Sequence, residues 1–122
     1  MMPRTVMIVD DEADCADMLQ VALEASPGIL AIRVATAEAA IEALGRLNVA
    51  VVISDVQLPA MSGIELITRV KGVPVVIVSA STDTGVKSEA LRAGATAFFA
   101  KPFSPAAVCA MVQELLKESK NV

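Results

Sequence analysis

Histidine is absent from these 122 residues. That removes imidazole general-base catalysis, histidine metal ligation and phosphohistidine chemistry from the chain itself. Trp and Tyr are also absent and Phe occurs three times, which leaves little with which to stack a flavin or a nucleobase. There are two cysteines, Cys15 and Cys109, and Met1-Met2-Pro3-Arg4 carries no signal-peptide pattern. The expectation is free thiols, read as small buried hydrophobes, in a reducing cytoplasm. A net charge of −4 lacks the clustered basic footprint of a nucleic-acid binder, so no direct nucleic-acid contact is expected. Hydrophobic residues make up 55%, yet no run approaches the ~20 residues a spanning helix needs. The longest, Val49–Ile53 and Val73–Ala80, are strand-sized, so no membrane span is expected. Chemistry must therefore run on carboxylates, hydroxyls and lysine.

What is present alternates. Apolar segments are expected to form strands over about 5–10, 30–35, 49–54, 74–79 and 96–100, separated by helical patterns of roughly ten to fifteen residues. Continuous apolar runs of this kind are what parallel strands covered on both faces require. Leu19 and Leu23 share a helical face, and Ser26-Pro27-Gly28 stops that helix. Ser62-Gly63-Ile64-Glu65 reads as a capping box, and Gly94 as a helix terminator after Ala93. Ser104-Pro105 opens a last helix over about 105–117. The expected architecture is one α/β domain over 1–122, a doubly wound parallel sheet of about five strands.

In such sheets ligands bind outside the carboxyl ends of the strands. The first strand ends in Asp10-Asp11 with Glu12 next, the third in Ser54-Asp55, the fourth in Ser79-Ala80 and the fifth in Ala100-Lys101-Pro102. Taken singly these are weak signals, because a strand-end Asp often only caps the next helix. Together they place carboxylates, a hydroxyl and an ammonium on one edge. Clustered carboxylates repel unless a cation compensates them. Mg²⁺, or Mn²⁺, suits oxygen ligands and is usually held by one or two carboxylates plus phosphate oxygens. Asp11 and Asp55 would ligate directly and Asp10 through water. An Asp carboxylate can attack phosphorus, with Lys101 as a point charge and Ser79 as a hydrogen-bond donor to the phosphoryl group.

The strings Val9-Asp10-Asp11-Glu12, Ser54-Asp55-Val56-Gln57-Leu58-Pro59-Ala60-Met61-Ser62-Gly63, Val78-Ser79-Ala80 and Phe99-Ala100-Lys101-Pro102-Phe103 together resemble a receiver domain of two-component response regulators. The resemblance covers essentially the whole chain. It implies a flavodoxin-like strand order 2-1-3-4-5, a Mg²⁺-dependent phosphoaspartate at Asp55, and a sensor histidine kinase or phosphotransfer protein as donor. It also implies an acidic pocket of Asp10 and Asp11, the Gln57 main-chain carbonyl as metal ligand, and Ser79 and Lys101 against the phosphoryl group. Lys101-Pro102 would be cis, Gln57 and Ser81 would tune hydrolysis, and Ser79 with Phe99 would form the switch. The responsive face would be the fourth helix, fifth strand and fifth helix, open to a downstream protein or a second copy. Leu58 and Ser62 depart from the residues common in the family, Met and Asp, without touching the chemistry.

Other readings fit less well. A phosphohydrolase of the haloacid dehalogenase type would carry its nucleophile at the end of the first strand, in an Asp-x-Asp arrangement. A receiver-like module that is never phosphorylated would not need every key position filled. An FMN carrier would meet repulsion of its phosphate by Asp10-Asp11-Glu12. No effector domain is expected after the last helix, which leaves a stand-alone receiver or a piece of a longer regulator.

Overall fold

The structure, a computed structural model, describes residues 3–80 and 84–120. Five strands and five helices alternate: β1 (Arg4–Val9), α1 (Ala13–Glu24), β2 (Ile29–Val34), α2 (Ala37–Leu44), β3 (Val49–Asp55), α3 (Gly63–Arg69), β4 (Val75–Ser79), α4 (Thr84–Ala93), β5 (Ala97–Ala100) and α5 (Pro105–Lys120). All four strand pairings are parallel, and the order is β2-β1-β3-β4-β5. This is the doubly wound sheet expected from the sequence. Strand ends differ from the expected ones by a residue. Pro74, expected in the fourth strand, cannot donate to a ladder and precedes β4. Asp10 follows β1, because its side chain folds back onto the next turn. The last helix runs on to Lys120 rather than 117, since no Gly or Pro interrupts it.

Strand alternation sorts the core into two layers. Val6, Ile8, Val51, Ile53, Val76 and Val78 face α1 and α5, where Leu19, Leu23, Val108 and Val112 close the layer. Met7, Val9, Val52, Val75 and Ile77 face the other way, onto Ala37, Ala40, Leu66, Ile67 and Ala90 of α2, α3 and α4. The β1–β3 register shifts once, between Thr5 and Val6, which pair with Val49 and Val51. Such a one-residue insertion reverses which side chains face which layer beyond it. Past the shift Val51, Ile53 and then Asp55 carry the parity of the α1/α5 side, as do Val6, Ile8 and then Asp10 on β1.

The caps read from the sequence are present. The Glu65 amide donates to Ser62 Oγ at 3.1 Å, and the Ala107 amide to Ser104 Oγ at 3.3 Å. A further cap, not read from the sequence, opens α2, where the Ala39 amide donates to Thr36 Oγ1 at 3.1 Å. Gly94 takes φ 119 directly after α4, a backbone region that side chains disfavour. Among the described residues no helix is long and apolar enough to cross a membrane.

Candidate functional site

β1 and β3 are neighbours at the point where the strand order reverses, so their carboxyl ends open a crevice. Asp10 and Asp55 stand at those ends, 6% and 4% exposed. Each spends one oxygen on its own loop. Asp10 Oδ1 accepts from the Glu12 amide at 2.9 Å, and Asp55 Oδ1 from the Gln57 amide at 3.0 Å. This local bond, rather than helix capping, is the structural duty of Asp10. The residue at the start of α1 is Glu12, whose side chain makes no capping bond.

The second oxygens face Lys101. β5 has Ala97 and Phe99 against the α1/α5 layer, and two residues further on Lys101 has the parity of Asp10 and Asp55. The Lys101 amide donates to the Ser79 carbonyl at 2.7 Å, and the Lys101-Pro102 bond is cis. Lys101 Nζ donates to Asp55 Oδ2 at 2.8 Å and to Glu12 Oε1 at 3.2 Å, and lies 3.6 Å from Asp10 Oδ2. Burial opposes the charge on this ammonium. The hydrogen bond donated to Asp55 and the fields of Asp55 and Asp10 outweigh that, and its pKa is held above the ordinary lysine value.

One ammonium among three carboxylates leaves the group negative. Asp10 Oδ2 is buried and lacks a hydrogen-bond partner among the described residues, which is costly for a carboxylate oxygen. Ligand oxygens of Asp10, Glu12 and Asp55 lie within 4.8 Å of one another. A hard divalent cation fits that donor set and would satisfy the orphaned oxygen.

The expected site residues divide as follows. Asp10, Asp55 and Lys101 are brought together. Asp11 is exposed and lines the cleft mouth with Glu12, Asp55, Gln57, Leu58, Pro59 and Ala80. Ser79 is fully buried, with the parity of Val75 and Ile77, and meets the site through its carbonyl. Phe99 is half-buried against the α1/α5 layer, and Phe98 packs on the opposite one. Ser81 lies outside the described residues. Sequence reasoning passed over Glu12 as a partner of Lys101, although its place directly after Asp10-Asp11 was the available signal. It read Cys15, on the first turn of α1, only as a small buried hydrophobe, whereas the residue is half-buried beside Asp10. Burial and the neighbouring Asp10 carboxylate push that thiol up to about 12.

One more residue shapes the site. A Cβ on Gly63 would stand 2.1 Å from the Asp55 carbonyl oxygen, and the Gly63 amide donates to the Val56 carbonyl at 2.8 Å. The start of α3 is thereby pressed against the loop that carries Asp55.

Comparison with known proteins agrees with this geometry. The family model described as "Response regulator receiver domain" matches residues 6–113. The transcriptional regulatory protein FixJ of Bradyrhizobium diazoefficiens is 31% identical over 94% of this chain and 58% of its own length. The DNA-binding response regulator MtrA of Mycobacterium tuberculosis is 31% identical over 98% of this chain and 54% of its own. The chain thus spans little more than half the length of these relatives. Among solved structures, the receiver domain of the Francisella response regulator 1452 superposes with a TM-score of 0.88 at 27% identity, covering 95% of this chain and 98% of that one. The match takes in every strand end that supplies the carboxylates and the lysine, and the chain belongs to the receiver domains of response regulators, phosphorylation-dependent signalling switches of two-component systems.

Proposed function

We propose that Asp55 accepts a phosphoryl group from a sensor histidine kinase or a phosphotransfer protein, and that the acyl phosphate changes the partner-binding face. The observation that carries this is the grip on Asp55: one oxygen fixed by the Gln57 amide, the other hydrogen-bonded to Lys101. A carboxylate so held is oriented before the donor arrives, which is where much of phosphoryl transfer is won. An Asp55 oxygen attacks phosphorus, the P–N bond to the donor imidazole breaks, and the imidazole leaves with its electron pair. Lys101 gives up its carboxylate contact to meet the incoming phosphoryl charge. Asp10, Asp11, Asp55 and the Gln57 main-chain carbonyl would hold Mg²⁺ or Mn²⁺, and Glu12 stands in the same carboxylate group. The metal supplies neutralisation of charge on the transferred group.

On this reading the chain is not a turnover enzyme. It assists its own phosphorylation and its slow hydrolysis, the latter tuned by Gln57 and Ser81. The Ser79 hydroxyl turns towards the phosphoryl group, Phe99 moves inward, and the surface of α4, β5 and α5 is altered for a downstream protein or a second copy. The phosphoryl group can shift this equilibrium only by its differential contacts, typically ~1–3 kcal/mol. A cytoplasmic location follows from a kinase donor.

Intact-mass measurement after incubation with acetyl phosphate tests the assignment. One phosphoryl addition is expected with Mg²⁺, and none with EDTA or in Asp55→Asn. Full labelling of Asp55→Asn refutes it. Amide NMR with beryllofluoride tests the switch, and shifts confined to the loops at Asp10, Asp55 and Ser79 would reject it.

A further inference from the structure

β2 is an edge strand, with β1 on one side only. The amide of Arg4 donates to the Gly28 carbonyl and that of Asp10 to the Val34 carbonyl, at 2.7 and 3.1 Å. The even-numbered residues of this segment therefore turn their backbone groups to β1, and Ile29, Ala31 and Arg33 turn theirs outward. An outward row of N–H and C=O groups is a template for another strand. Here its middle, at Ala31, is occupied by side chains. The Ala31 amide donates to Glu24 Oε2 at 3.2 Å, and Gln20 Nε2 donates to the Ala31 carbonyl at 3.3 Å. Gln20 Oε1 in turn accepts from Arg33 Nη1 at 3.4 Å, and Arg33 is paired with Asp17. The Ile29 amide is taken by the Ser26 carbonyl at 3.4 Å.

Asp17, Gln20 and Glu24 are spaced three and four apart, one stripe of α1. They reproduce across the edge the donor and acceptor that a sixth strand would offer to Ala31. We infer that this stripe is a side-chain clamp that closes the β2 edge to a second copy of this chain. Without it, an antiparallel pairing centred on Ala31 sets Leu30, now 45% exposed, opposite Ile32 of the other copy. The two five-stranded sheets would then join as one. This inference is independent of phosphoryl transfer at Asp55, on the far side of β1.

Two measurements test it on the full chain. Amide exchange at Ala31 should quicken about tenfold in Glu24→Ala, as expected for loss of a hydrogen bond to a charged group. It should stay near the original rate in Glu24→Gln, which keeps an acceptor. In sedimentation, Gln20→Ala/Glu24→Ala should associate in a concentration-dependent way beyond the unsubstituted chain. Adding Ala31→Pro should reverse this, because proline at an outward position removes the donor that the incoming strand needs and leaves the β1 ladder intact. The inference is overturned if the Ala31 amide is indifferent to Glu24→Ala. It is equally overturned if the folded double variant associates no more than the parent, or if its association survives Ala31→Pro.

Discussion

Lys101→Ala tests the proposed acidic site most directly, because on that proposal lysine and a divalent metal compensate the same carboxylates. The Lys101 side chain is 15% exposed and those of Asp55 and Asp10 are 5% and 1%, so solvent screens these charges little. Removing one partner of a buried pair costs about 3 kcal/mol, at the low end of the usual range. A domain of this size loses roughly 4 °C of Tm per kcal/mol, so Lys101→Ala in EDTA should melt roughly 12 °C below the parent. Mg²⁺ should then narrow the gap. With one positive charge fewer among Asp10, Glu12 and Asp55, the variant should bind the cation about tenfold more tightly. Tenfold in affinity returns about 1.4 kcal/mol at saturation, or roughly 6 °C. Far-UV circular dichroism melts of both proteins, with EDTA and with saturating Mg²⁺, give all four corners of the cycle. Equal losses in the two conditions, or no loss in EDTA, would refute the shared compensation.

Gly63→Ala should lower stability by about 1–3 kcal/mol and impair labelling of Asp55, since the new Cβ would meet the Asp55 carbonyl oxygen at 2.1 Å; melts and intact mass read both. Ser62→Ala, which removes the acceptor for the Glu65 amide, should cost about 1 kcal/mol in the same melts. Stability should fall at alkaline pH. The Cys15 thiol, raised from 9.0 to about 12, stays protonated in the native state where the unfolded chain ionises, so stability is lost as pH rises past 9.0. Lys101 acts in the same direction, its contribution being intact below 10.5 and lost as pH rises through its raised native value. Burial raises the Cys109 thiol as well, so it acts in the same direction. A pH series of melts on Cys109→Ala and on Cys15→Ala/Cys109→Ala isolates the Cys15 share, and a double-variant profile that falls as early as that of Cys109→Ala would contradict it.

Much of this was legible in the sequence, for identifiable reasons. Val51, Val52, Ile53 and Val75–Val78 announce buried parallel strands because both faces of such strands must be apolar. The residue after each run is then fixed at the carboxyl edge, which is how Asp10, Asp55, Ser79 and Lys101 could be named. What stayed hidden depends on angles and distances between segments. Asp11 and Glu12 are adjacent in sequence, and only the turn made by Asp10 decides that Glu12, rather than Asp11, reaches Lys101. The register shift between Thr5 and Val6 leaves no mark in the apolar pattern. Gln20 and Glu24 look like an ordinary solvated helix face until β2 is set beside them.

The bond between the Gln57 amide and Asp55 Oδ1 bears on how an active form can be imitated. On the proposed role of Asp55, glutamate in its place would extend the charge as a phosphoaspartate does, but its carboxylate sits one methylene further out. A carboxylate displaced that far should lose the Gln57 amide, which leaves the loop from Val56 to Ser62 held by the Gly63–Val56 bond without its tie to the Asp55 side chain. Asp55→Glu therefore reports a released loop together with an extended charge. Asp55→Asn keeps the short side chain and an oxygen for Gln57, and so removes the reactive carboxylate while leaving the loop tethered.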